Sequence, residues 1–253
     1  MRTGSHEIPV VSADPAHDAL ADAVAQRLGA SRLPLASWRA GAGGPVVAWC
    51  DEDGLALRGT AASGAGPVRP VAPTSARPGR DPLVRAAGRW TQVTDATAGW
   101  GGDAAVLAAA GREVVLVERN PVLAAILDAA IGRWRAAGIV AATRMRVVRA
   151  DAREALTAAS TDVVVLDPMY PEGAAAGRRG QARKAEAAYL LRQLVGDDAD
   201  QAELLVAARL AARRRVVVKR PLRAPPLAGD RPSGTLTGRT VRYDLYAPEE
   251  ATT

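Results

Sequence analysis

The stretch Gln92-Val93-Thr94-Asp95-Ala96-Thr97-Ala98-Gly99-Trp100-Gly101-Gly102-Asp103 decides how this chain is read. A strand-like run from Gln92 to Thr97 gives way to a glycine turn, and Ala104 to Ala110 then reads as a helix. Glycines permit a tight turn and let a ligand approach the backbone at a helix N-terminus, where unpaired N–H groups point outward. That suits a phosphate or the polar end of another nucleotide-derived cofactor. The plain alternative is a strand-to-helix turn that holds nothing.

Outward from this turn the same alternation continues. Further β-branched runs at Glu113 to Glu118, Met145 to Arg149, Thr161 to Leu166 and Arg215 to Lys219 are separated by helical segments. Near-continuous Val runs of this kind predict a parallel sheet buried on both faces by crossover helices, an α/β doubly wound domain over residues 81–253. Thr240 to Tyr246 alternates and is expected to be an antiparallel C-terminal edge strand. Before it, Ile8 to Val11 reads as a strand. Ser12 and Asp14-Pro15 then start a helix with Leu20, Val24 and Leu28 at every fourth position, stopping at Gly29. Pro45 to Cys50 and Leu55 to Arg58 flank Asp51-Glu52-Asp53-Gly54 as a hairpin. Residues 1–60 are thus expected to be a small N-terminal α+β cap. Residues 61–80, with Pro67, Pro70, Pro73 and Pro78, form a linker or lid.

The composition limits what the chain can do. It has 253 residues, a net charge of +6, 48% hydrophobic residues and 24% charged ones, which excludes collagen-like, wholly disordered and disulfide-stapled chains. Cys50 is the one cysteine and His6 and His17 are the two histidines, so no metal site is expected. The segment from Met1 to Val10 has neither a basic n-region nor an apolar h-region, and no apolar run is long enough to span a bilayer. A cytosolic protein with no membrane partner is the expectation. An isoelectric point near 10.2 points to a polyanionic partner.

Three acids give the glycine turn its context. Glu118 ends the next strand, 19 residues beyond Gly99, where a carboxylate can accept both ribose hydroxyl hydrogens. Asp95 precedes the glycines; it would repel a pyrophosphate but suits the ammonium of S-adenosylmethionine. Asp151, read as the end of the third strand, could face an adenine amino group. The fourth strand delivers Leu166-Asp167-Pro168-Met169-Tyr170-Pro171, similar to the Asp/Asn-Pro-Pro-Tyr/Phe loop of amino-group methyltransferases. An exocyclic amine attacks poorly until acceptors hold its hydrogens. Asp167 and the Pro168 carbonyl are the expected acceptors, and Tyr170 is expected to stack on the base. A rigid proline turn is the structural alternative.

Together with Val117-Glu118-Arg119-Asn120-Pro121-Val122 and Val216-Val217-Val218-Lys219-Arg220-Pro221, these motifs resemble the bacterial ribosomal small subunit methyltransferase J family over about residues 80–247. The resemblance implies a class I, Rossmann-like fold, S-adenosylmethionine as donor, and N2-methylation of one guanosine near the 3′ end of 16S ribosomal RNA. It implies cofactor contacts at Gly102, Asp103, Glu118, Arg119, Asp151, Ala152 and Asp167, beside the turn residues Asp95, Thr97, Gly99 and Gly101. The chain departs from the family pattern at Gly102, where a basic residue is common, and at Asp151-Ala152, where two small hydroxyl residues are common.

After Pro171 a glycine-rich basic loop carries Arg178, Arg179, Arg183 and Lys184, and Lys219 and Arg220 end the fifth strand. All six are candidate RNA-phosphate contacts. The expected partner is 16S ribosomal RNA or the small ribosomal subunit, with the oligomeric state open. The residues also allow an amino-group methyltransferase acting on DNA, protein or a small molecule. A nicotinamide-dependent oxidoreductase is disfavoured by Asp95, and a silent RNA-binding module by the intact Asp167 to Pro171 turn.

Overall fold

The computed structural model describes residues 8–74, 78–158, 160–169, 182–195 and 200–249, with the backbone alone for 78 and 182–184. The chain divides into two compact units. In the first, β1 (Val10–Ser12) runs parallel to β2 (Val47–Asp51), which pairs antiparallel with β3 (Gly54–Arg58). The hairpin turns at Asp51 and Gly54, where Gly54 takes φ 86°. Two helices, α1 (Asp18–Leu28) and α2 (Leu35–Arg39), complete this α+β unit.

The expected apolar row of α1 is not the row that packs inward. Ala21 and Ala25 are buried, while Leu20 is exposed. Small side chains let α1 lie close to β1 and β2, so the alanine row faces the sheet and the larger residues lie beside it. The unit's core holds Trp38 and Trp49 with ring centroids 5.0 Å apart, and the Arg58 guanidinium lies over both rings.

The second unit begins with α3 (Pro82–Ala87), whose start is fixed by Asp81: its carboxylate accepts from the Leu83 amide while Pro82 occupies the first turn. Next come β4 (Gln92–Asp95), α4 (Gly102–Ala109), β5 (Glu113–Glu118), α5 (Pro121–Ala136), β6 (Met145–Arg149), α6 (Ala152–Thr157) and β7 (Thr161–Leu166). The chain then enters α7 (Ala182–Val195), which groups with the first unit, and returns through α8 (Gln201–Ala211). It ends with β8 (Ala212–Pro221), β9 (Gly234–Thr237) and β10 (Val241–Tyr246). The sheet order is β6-β5-β4-β7-β8-β10-β9, with the first five strands parallel and β10 antiparallel to both neighbours.

Alternate residues of the central strands feed two separate cores. Val163, Val165 and Val217 join α3, α4 and α5 on one face, while Val164, Leu166, Val216 and Val218 join α6 and α8 on the other. This is the doubly covered sheet that the Val runs predict, an α/β doubly wound architecture. Two expectations change. The C-terminal strand β10 is not the edge, because β9 pairs outside it through Gly234 to Thr237. Asp151 does not end a strand, since β6 stops at Arg149 and Asp151 caps α6.

Gly101 is the N-cap of α4 at φ 71°, and a Cβ there would meet Leu127 Cδ2 at 2.7 Å inside the core. Gly102 next to it faces open space. Gly101→Ala is therefore expected to lose about 1–3 kcal/mol of stability through the left-handed backbone and the contact with Leu127. Gly102→Ala should be neutral or slightly stabilising. Urea unfolding of the two variants checks the contrast; equal losses would show that the turn does not need its first conformation.

Candidate active site

Because β4, β5, β7 and β8 are parallel, their carboxyl ends share one edge. Asp95 is the last residue of β4, Glu118 the last of β5, and Asp167 follows β7 directly. The turn between Asp95 and α4 is stitched to both neighbouring strands: the Ala96 amide donates to the Val165 carbonyl at 3.0 Å and the Ala98 amide to the Val117 carbonyl at 3.2 Å. Gly99 at φ 50° donates its amide to Glu118 Oε2 at 3.0 Å, and the Asn120 amide reaches Oε1 at 2.8 Å. Glu118 is thus buried and held by backbone on both oxygens. Thr97 joins β4 to β7: its amide donates to Asp95 Oδ1 at 3.2 Å and its hydroxyl accepts from the Asp167 amide at 2.6 Å.

Three carboxyl groups converge here around one cation. Lys219 Nζ lies 3.0 and 2.9 Å from the two carboxylate oxygens of Asp103 and 2.8 Å from Asp167 Oδ2. Burial works against the ammonium, but Asp167 and Asp103 outweigh it and hold Lys219 above the ordinary lysine range. Burial, and after it Asp103, pushes Asp95 up to about 8, with the Thr97 amide opposing. Asp167 is also raised by burial, although Lys219 draws it down. Among the described residues no group of three or more His, Cys, Asp or Glu side chains is arranged to hold a metal ion.

The sequence candidates fall into three sets. Asp95, Thr97, Gly99, Gly101, Gly102, Asp103, Glu118 and Asp167 line the glycine turn or the strand ends beside it, and Pro168 is buried directly after Asp167. Asp151, Ala152 and Arg119 are tied into a different network. Asp151 Oδ1 accepts from the Arg153 amide and Nε, and Oδ2 from Nη2 at 2.8 Å. Arg119 reaches Asp200 at 3.4 Å, and Arg153 also reaches Asp200 and Glu203. The Asp151 carboxylate is therefore an Arg-paired cap of α6. The cap signal was present in the sequence as an Asp before a helical run with Arg153 two residues on.

Two phosphate candidates point elsewhere than expected. Lys219 is committed to Asp103 and Asp167, and Arg220 is buried with its guanidinium on the Pro225 carbonyl. Strand alternation carries the signal: adjacent residues of β8 leave opposite faces of the sheet, and Arg220 is the one that turns into the interior. The Arg183 and Lys184 side chains, and Tyr170, Arg178 and Arg179 entirely, lie outside the described residues. One contact that the sequence reading missed is Gln201 at the start of α8, whose amide donates to the Met169 carbonyl at 3.2 Å.

The family described as "Putative SAM-dependent methyltransferase" matches residues 77–248, so fold and match together define a class I S-adenosylmethionine-dependent methyltransferase. A ribosomal RNA small subunit methyltransferase J from Thioalkalivibrio sulfidiphilus is 42% identical, covering 89% of this chain and 92% of its own. The protein of the same name from Halorhodospira halophila is 43% identical, covering 91% and 90%. A solved S-adenosylmethionine-dependent methyltransferase from Neisseria gonorrhoeae shares the fold with a TM-score of 0.67 at 27% identity, over 96% of this chain and 98% of that one. The chain belongs to the ribosomal RNA small subunit methyltransferase J family.

The raised pKa of Asp95 has a sign that can be measured. Folded Asp95 keeps its proton up to about pH 8, whereas in the unfolded chain it ionises from about pH 4. The folded state therefore binds the extra proton between these values, and this group's contribution to stability falls as pH rises, by up to about 1.4 kcal/mol per pH unit, levelling above the folded pKa. Asp95→Asn mimics the neutral form. The stability of that variant relative to wild type should grow from about pH 5 to about pH 8 and then stay level. A difference that is flat across the range contradicts a protonated Asp95.

Proposed function

We propose that this chain transfers a methyl group from S-adenosylmethionine to the exocyclic N2 amino group of a guanosine in 16S ribosomal RNA, acting in the cytoplasm on the RNA or on the small subunit. The observation that carries the reading is the row of hydrogen-bond acceptors Asp95, Glu118 and Asp167 at one strand edge, beside a glycine turn that opens α4. Such an acidic edge fits a cofactor that presents ribose hydroxyls and an ammonium, whose charge would favour the ionised form of Asp95, better than it fits a pyrophosphate. Glu118 would take the ribose hydroxyls; Asp95, Asp103 and the turn from Gly99 to Gly102 would take the amino-acid end. When bound, S-adenosylmethionine supplies an electrophilic methyl group on a sulfonium.

The chain's own residues then act by placement. Asp167 and the Pro168 carbonyl accept the hydrogens of the amine, so that its lone pair is directed outward. Lys219 holds Asp167 Oδ2, which assigns Oδ1 to the amine. Tyr170 would stack on the base, a contribution of about 1–3 kcal/mol. Arg178, Arg179, Arg183 and Lys184 would meet RNA phosphates. The burial of Arg220 and the ion pairs of Lys219 support leaving those two out of the phosphate-binding set.

S-adenosylmethionine should raise the melting temperature, as any ligand bound only by the folded state must, by about 2.7 kcal/mol of stabilisation at a hundredfold excess over Kd. NAD should not. In single-turnover methylation of 16S RNA, Asp167→Asn should lower the rate at least about tenfold with the fold intact, because an amide can present a donor where the amine needs an acceptor. A thermal response to NAD alone, or an unchanged rate in Asp167→Asn, would overturn the reading.

A further inference from the structure

Lys219 stands out at this edge because one side chain joins two elements far apart in sequence. The pairing of Leu166 with Val218 puts Lys219 beside Asp167, and Lys219 also reaches the first turn of α4 at Asp103. Among the described residues its ammonium makes three oxygen contacts to these acids. The charged and titratable groups acting on Asp167 come from every element packed there: Lys219 and Arg220 on β8, Asp103 on α4 and Asp95 on β4. On β10, Tyr243 pairs with Lys219 in register. Among the described residues Lys219 is the cation that contacts both Asp103 and Asp167.

We propose that Lys219 is a positioning residue that acts through Asp167: its ammonium fixes Oδ2 at the end of β7, favours the charged form of that carboxylate and leaves its other oxygen for the acceptor amine, while tying it to the turn that opens α4. The inference rests on the methyltransferase reading above and adds a residue to it. It also changes the role of Lys219 from an RNA-phosphate contact to an internal cation. A phosphate contact would leave Asp167 indifferent to the loss of the lysine.

Two readouts test it. The first is a carboxyl 13C NMR titration of ligand-free protein, with Asp167 assigned through Asp167→Asn. Lys219→Met should move the Asp167 midpoint up by about 1–3 pH units, the usual effect of losing an opposite charge at contact. Lys219→Gln, which keeps a donor for Asp103, should do the same with less disturbance of the fold. Lys219→Arg should return the midpoint toward wild type. The second readout is the pH profile of single-turnover methylation: its acid limb should move up by the same interval in Lys219→Met, with the rate recovering above it. An unmoved midpoint in both uncharged variants, or a loss of rate that is equal at every pH, overturns the proposal. Failure of the wild type to methylate RNA would instead overturn the function reading, and the midpoint, read without any substrate, would still decide the Lys219 link.

Discussion

A strand covered on both faces has room for charge only at its ends, and this constraint organises the second unit. In β7 the side chains of Val163 and Val165 enter one core and those of Val164 and Leu166 the other. An unpaired charge at any of these positions would cost several kcal/mol. Chemistry is therefore displaced to the edges. At the carboxyl edge the parallel strands present Asp95, Glu118 and Asp167 side by side, and at the amino edge they present Arg213 and Arg214, the latter over the Trp90 ring at 4.5 Å.

The carboxyl edge then has to solve an electrostatic problem of its own making, because neighbouring acids repel. Each acid is relieved differently. Glu118 accepts two backbone amides. Asp103 and Asp167 divide Lys219 between them, and Asp95, most deeply placed, takes up a proton. What results is an acceptor-rich surface that favours ligands with donor hydrogens and positive charge. That is the chemistry of S-adenosylmethionine at the cofactor end and of an aromatic amine at the acceptor end. No step on this surface requires the protein to supply a nucleophile, so the site can work through placement alone.

Much of this was legible in the sequence, for a physical reason. Strands buried on both faces must be nearly continuously apolar, so Glu113 to Glu118 and Thr161 to Leu166 show their limits without any alignment. The turn from Asp95 to Asp103 was legible because a positive φ at Gly99 and Gly101 needs glycine. Strand β9 was not, since Gly-Thr-Leu-Thr between turn residues gives no periodic signal over four positions and exists only by pairing with β10. The ion pairs of Lys219 were not legible for a deeper reason: Asp103 and Asp167 lie 116 and 52 residues away, and only the folded sheet brings them to it. The cap at Asp151 and the burial of Arg220 were closer to hand, because capping and strand alternation are both local rules.

Whether this acceptor edge serves ribosomal RNA is tested most directly by mass mapping of modified nucleosides in 16S RNA from cells with and without this protein. The account predicts that one N2-methylguanosine is lost without it and is restored by the wild-type chain but not by Asp167→Asn. An unchanged set of methylated guanosines in cells lacking the protein would contradict the account.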